Sequence, residues 1–269
     1  MIKLNFILSE DFLLQHILKS HSDHLPFMKI KKKVWDINKN FYDIASQNIE
    51  PIIFDDGLAK GLPVAIVNLN GNLAKIYKTP EFKKAVAETK KYLNYVKGQW
   101  EDNYGIAILH LTNITKIDLS KINKEINIYI SHPKLNRGRS YVENNAIAWS
   151  HREDWKNYST VYLWHEIMHI ITFNKSIAPN LMHATIELSC DNELRIRLGG
   201  ANKYFEESGF PIGHRLLSGF ERKIIPDWKE YLKNPKENIY QFEKRMRKKY
   251  QKEKFLRSQS KLAEWAEWH

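Results

Sequence analysis

Between Val161 and Ile171 the chain is uncharged except for one cluster: His165, Glu166 and His169 sit among Val161, Tyr162, Leu163, Trp164, Ile167, Met168, Ile170 and Ile171. A stretch this apolar must be buried, and its length and flanks favour a helix. Burying three ionisable groups in it costs free energy unless they are partnered. On a helix His165 and His169 are one turn apart on the same face, so their imidazoles can share one ligand. Glu166 leans toward the same space. Asn157, Ser159 and Thr160 offer capping oxygens just ahead of the run, preceded by Glu153 and Asp154.

A later helical stretch, Leu181 to Leu198, is closed by Gly199 and Gly200. His183, Glu187 and Asp191 recur on it at i, i+4 and i+8 and so share a stripe. Met182, Ile186, Cys190 and Leu194 form the neighbouring apolar stripe. Two imidazoles, a carboxylate beside them and further donors on a second helix are the ligand chemistry of a divalent metal.

His165-Glu166-Ile167-Met168-His169 resembles the H-E-x-x-H signature of the zincin metallopeptidases. Glu187-Leu-Ser-Cys-Asp191 resembles the E-x-x-x-D pair of the glutamate-zincin branch. The resemblance implies an α+β, zincin-like fold, mainly helical, with a small mixed sheet preceding the zinc-binding helix. It implies one Zn²⁺ per chain held by His165, His169 and Glu187, with Asp191 accepting from a ring N–H of a zinc histidine. Glu166 is then the catalytic base, and the activity is hydrolysis of peptide bonds in a peptide or protein substrate. The spacing from His169 to Glu187 is slightly shorter than in better-known branches, so the connection from Thr172 to Asn180 must be compact. His183 is an alternative ligand or an oxyanion donor, although the glycine usual in three-histidine branches is missing. Arg195, Tyr162, His151 and His214 are further candidates for the donor.

Ile126–Ser131 and Asn145–Ser150 alternate like strands, with Leu135–Arg139 as a loop between them, and Tyr104–Leu111 reads as another strand. By the resemblance, Asn145–Ser150 is the edge strand to which an extended peptide pairs. Ser9 caps a helix through Lys19, a second helix runs from about Phe27 to Asn48, and Thr79-Pro80-Glu81 starts one reaching about Val96. The organisation expected is a helical N-terminal lobe (1–100), a zincin-like catalytic core (101–200) and a C-terminal helical, basic segment packing on the core (201–269).

Hydrophobic content of 43% excludes a disordered chain. There is no run long enough for a membrane span, the acidic residues Glu10 and Asp11 come too early for a secretory leader, and one cysteine precludes an internal disulfide. The expectation is a cytoplasmic protein. A formal net charge of +11 raises a second function class, a non-catalytic basic protein binding nucleic acid or an acidic partner. Lys236–Arg257 carries nine Lys or Arg against three Glu, with Ile239, Phe242, Met246 and Tyr250 at helical spacing. The simpler account is an apolar stripe on the body with a solvated basic face, and no nucleic-acid-binding motif accompanies it.

Overall fold

The computed structural model describes residues 1–47, 70–173, 179–199, 204, 214 and 217–251. Its described residues are mainly helical around one four-stranded mixed sheet, an α+β arrangement. The strands are β1 (Ile2–Ile7), β2 (Lys124–Ile130), β3 (Arg137–Tyr141) and β4 (Ala146–Ser150), in the order β1-β2-β4-β3. β1, β2 and β4 run parallel, and β3 pairs antiparallel with β4 at the edge. Strand alternation sets the two faces. Ile126, Ile128, Ile130, Ile147 and Trp149 point into the main core, while Tyr129, Ala146 and Ala148 pack with Phe12 on the other side.

Two strand expectations are corrected. Asn145–Ser150 is not at the edge, because β4 is paired on both sides. The edge strand is β3, within the stretch expected as a loop. Its Arg-Gly-Arg-Ser-Tyr composition carries no strand pattern; pairing with β4 makes it a strand. Tyr104–Leu111 is helical. It belongs to a helix running Pro80–Thr115, far past Val96. Tyr92, Val96, Trp100, Ala107, Leu111 and Ile114 keep one buried helical stripe along it, which overrides the local alternation.

The helices ahead of that one are α1 (Glu10–Lys19), α2 (Leu25–Ile37), α3 (Lys39–Gln47) and α4 (Asn70–Tyr77), so Pro80–Thr115 is α5. Ser9 caps α1, its hydroxyl accepting from the amide of Phe12 at 3.3 Å, and Thr79 caps α5 in the same way. The single helix expected over Phe27–Asn48 breaks at Asn38, whose extended backbone separates α2 from α3 while its Oδ1 accepts from the amide of Phe41. Leu13, Ile17, Phe27, Ile30, Val34 and Phe82 form a second apolar cluster. α5 spans both clusters and crosses residue 100 without interruption. The N-terminal hundred residues also contribute β1 to the central sheet.

His16 lies on the buried face of α1, its Nδ1 2.9 Å from the carbonyl of Phe12. Burial holds its pKa down at about 3, with the Phe12 hydrogen bond opposing that shift and Arg137 adding to it. The unfolded chain protonates this ring near 6.5. Between about 6.5 and 3 the unfolded state therefore binds more protons, so stability is complete above about 6.5 and falls with acidification. In His16→Gln this contribution to the acid limb, up to about 1.4 kcal/mol per pH unit, is expected to vanish. Urea midpoints at pH 7, 5 and 4 for both proteins check it; parallel pH dependences would refute it.

The site helices are α6 (Tyr158–Thr172) and α7 (Pro179–Glu187), which runs on through a π-helical stretch, Leu188–Leu194, into a last turn, Arg195–Arg197. α8 (Ser218–Lys233) and α9 (Ile239–Lys249) follow. α9 buries Ile239, Phe242 and Met246 and packs on α7. Its bases are partly used in the fold: Lys249 and Arg245 pair with Asp227, and Arg245 also with Glu237. The expected basic segment beyond 251 lies outside the described residues. Among the described residues no helix is long and apolar enough to cross a membrane.

Candidate metal centre

α6 lies in the middle of the protein, with Leu163, Trp164, Ile167 and Met168 buried. Its first turn is capped from outside. The Thr160 amide donates to Oε1 of Gln99 on α5 at 2.8 Å, and the Ser159 amide to Glu153. Asn157 is the cap residue by position, but its side chain donates instead to the carbonyl of Leu198.

His165 and His169 face the same point, with their Nε2 atoms 3.1 Å apart. Two nitrogens bound at about 2.0–2.1 Å to a tetrahedral ion lie roughly 3.3 Å apart, so the pair fits one metal. On its other side the His165 ring meets Asp191, with Nδ1 3.1 Å from each carboxylate oxygen. This is the orienting contact expected of Asp191, and it leaves Nε2 of His165 toward His169.

Burial opposes charge on His165, but the charge of Asp191 and its hydrogen bonds win and lift its pKa to about 9. Burial and the neighbouring charge on His165 push His169 well below the usual imidazole range.

His183 joins the motif pair: one donor atom from each of His165, His169 and His183 lies within 4.8 Å of the others. Glu187 meets the same criterion with His183 and His214 instead. Its Oε1 is 3.4 Å from Nε2 of His183 and accepts from the main-chain amide of His214 at 2.9 Å, with Nδ1 of His214 at 2.5 Å. Glu187 is thus in the pocket, next to His183. The other carboxylate there is Glu221 on α8, fully buried against Glu187. Burial raises the pKa of both: the charge of Asp191 adds to it at Glu187 and the charge of Glu187 at Glu221, and the two carboxyl groups share a side-chain hydrogen bond. Among the described residues Nε2 of His183 is buried without a hydrogen-bond partner. This set of imidazole and carboxylate donors could hold a metal ion.

The stripe of His183, Glu187 and Asp191 is not one uninterrupted α-helix. The backbone widens after Glu187 into the π-helical stretch that carries Asp191 to His165. Thr185 and Ser189 hydroxyls bond back to the carbonyls of Leu181 and Thr185, and Asn192 reaches the carbonyl of Glu187. Such local bonds compete with the regular ladder. Cys190 is buried among apolar side chains, as a small hydrophobe. The connection between α6 and α7 lies at 174–178, outside the described residues.

Glu166 faces the edge strand. A Cβ built on Gly138 of β3 would lie 3.7 Å from its Oε1 and only 2.7 Å from Cζ3 of Trp149. Gly138 therefore keeps β3 close to β4 and leaves space before Glu166. In Gly138→Ala the Trp149 ring must shift, with an expected loss of about 1–3 kcal/mol in chemical denaturation. Unchanged stability would refute the packing argument.

Of the proposed oxyanion donors, the Tyr162 and His214 rings lie 6.0 and 6.2 Å from the His165 ring. Burial and then the charge of Asp191 hold the Tyr162 hydroxyl well above its usual pKa, so it remains a donor. Arg195 directs Nε to the carbonyl of Asp191, and His151 stacks on Tyr158. Sequence reading missed Glu221, although it falls in the apolar stripe of Ile224, Ile225 and Trp228, where a carboxylate is out of place.

A further convergence, His24, Glu88 and His132, is unsuited to a metal. Nδ1 of His132 accepts the Lys134 amide at 3.2 Å, and Nδ1 of His24 lies 3.1 Å from the Lys134 ammonium. Each neutral ring must then carry its proton on Nε2, which His132 presents to Glu88 at 3.0 Å. It is a hydrogen-bond cluster. Comparison of the chain with protein-family models, with curated proteins and with solved structures finds no match to any of them.

Proposed function

We propose that the chain is a zinc-dependent metallopeptidase of the glutamate-zincin kind. The observation that carries this reading is the convergence of the His165 and His169 Nε2 atoms at 3.1 Å, with Asp191 behind His165 and Glu166 beside them. His165 and His169 hold the ion, and His183 and Glu187 are the donors that complete its site. Bound zinc would polarise the scissile carbonyl and make water acidic near neutral pH. Glu166 takes the proton from the attacking water and returns it to the leaving amine. Tyr162 and His214, whose rings lie 6.0 and 6.2 Å from that of His165, would donate to the developing oxyanion.

Substrate binding follows from β3. One side of this strand is paired with β4, and among the described residues no strand pairs with its other side, so an extended peptide would add there. Gly138 leaves space before Glu166, and on this reading the bond to be cut would lie opposite that carboxylate. Use of Lys249 and Arg245 in ion pairs weakens the rival reading of α9 as a nucleic-acid surface.

The expected result is zinc copurifying with the protein, and cleavage of a mixed peptide library that 1,10-phenanthroline abolishes and added Zn²⁺ restores. Protein without bound metal and without chelator-sensitive cleavage would overturn the proposal.

A further inference from the structure

The edge strand β3 has two unlike faces. Gly138 looks toward Trp149 and Glu166. Strand alternation turns Arg137, Arg139 and Tyr141 to the opposite face. Two observations agree with this: Tyr141 packs against the cluster of Phe12 and Tyr129 on that side of the sheet, and the charge of Arg137 acts on His16 of α1. The main chain alternates as well. The amide of Arg137 donates to Oγ of Ser150 on β4 at 3.1 Å, so the peptide groups of Arg137 point toward β4. Those of the exposed Gly138 then point the other way, to the side where no strand of the described residues pairs.

An antiparallel peptide bonded to Gly138 therefore turns one side chain toward Glu166 and the side chains before and after it toward Arg137 and Arg139. Arg139 has its guanidinium 5.6 Å from the centre of the Tyr141 ring. Arg137 is partly buried and, unlike Arg197 and Arg245, pairs with no carboxylate of the described residues. Exposed Lys134 lies three residues ahead of it, and exposed Arg152 lies two past the Ser150 that faces it, so positive charge gathers at that end of the strand. We propose that the substrate is an acidic peptide, carrying Asp or Glu next to the residue that faces Glu166, and that Arg137 reads this side chain. The inference rests on the metallopeptidase reading and its docking edge, and names the substrate class. Opposite charges directly across two strands favour the pairing, and like charges oppose it.

The test is cleavage preference. Full-length protein supplied with Zn²⁺ is given a random peptide library, and the new ends are sequenced by mass spectrometry. Asp and Glu are expected to be enriched at a single position close to the cut bond. Peptides differing only there, with Glu, Gln or Lys, are then expected to rank in that order, each step about two- to fivefold in kcat/KM. In Arg137→Glu the order of the Glu and Lys peptides is expected to reverse, which loss of a merely structural side chain would not cause. Cleavage without an acidic preference, or an unchanged Glu-to-Lys ratio in the variant, overturns the role of Arg137 and leaves the metallopeptidase reading intact. Absence of any chelator-sensitive cleavage overturns both. If Arg137→Glu fails to fold, Arg137→Gln decides by the same ratio, which is expected to fall toward parity.

Discussion

Glu166→Gln is expected to bind metal like the wild type and to lose about 10²–10⁴-fold in kcat. The amide keeps the size of the side chain and cannot accept a proton. Glu166 is not among the groups that converge on a metal, so ion content is expected to stay unchanged. Turnover on a cleavable peptide and metal content, measured on the same preparation, check the two halves separately. Wild-type turnover in the variant would remove Glu166 from the chemistry. Lost metal would show that the residue shapes the site and does not act as its base.

The second large effect concerns Asp191. Its two oxygens lie 3.1 Å from Nδ1 of His165, and it is completely buried. Replacing it by Ala leaves that ring without its anchor, and zinc affinity is expected to fall by about 10–100-fold. Asp191→Asn retains an acceptor and loses the charge, so its loss is expected to be smaller. Competition with a zinc-binding dye measures both. Equal affinity in wild type and Asp191→Ala would mean that His165 needs no orienting partner.

The two site helices were legible because the spacing of their histidines and carboxylates follows the helical repeat. His165 and His169 are one turn apart, and Asp191 meets His165 as the E-x-x-x-D resemblance implied. Glu187 was expected beside the motif histidines, yet in the structure His183 stands nearer to them, and Glu187 contacts His183 and His214. That difference depends on how α6 and α7 dock, which no local pattern encodes. The π-helical widening after Glu187 depends on back-bonding by Thr185, Ser189 and Asn192. His214 and Glu221 come from distant parts of the chain, with no motif to mark them.

The sheet shows the same division. β2 and β4 announce themselves by alternation, and their buried faces match it. β3 carries Arg137, Gly138 and Arg139, a loop-like composition, and its strand geometry comes from its neighbour. In Tyr104–Leu111 a run of alternating letters coincided with one stripe of a much longer helix. Short-range periodicity lost there to burial along the whole of α5.

α5 also acts as a strut between the two apolar clusters. Its first turns belong to one, its later turns to the other, and Gln99 among the later turns caps the helix that bears His165. Neither cluster can melt without fraying a helix the other needs. Heating should therefore give a single cooperative calorimetric transition, and damage to the N-terminal helices should be felt at the histidines.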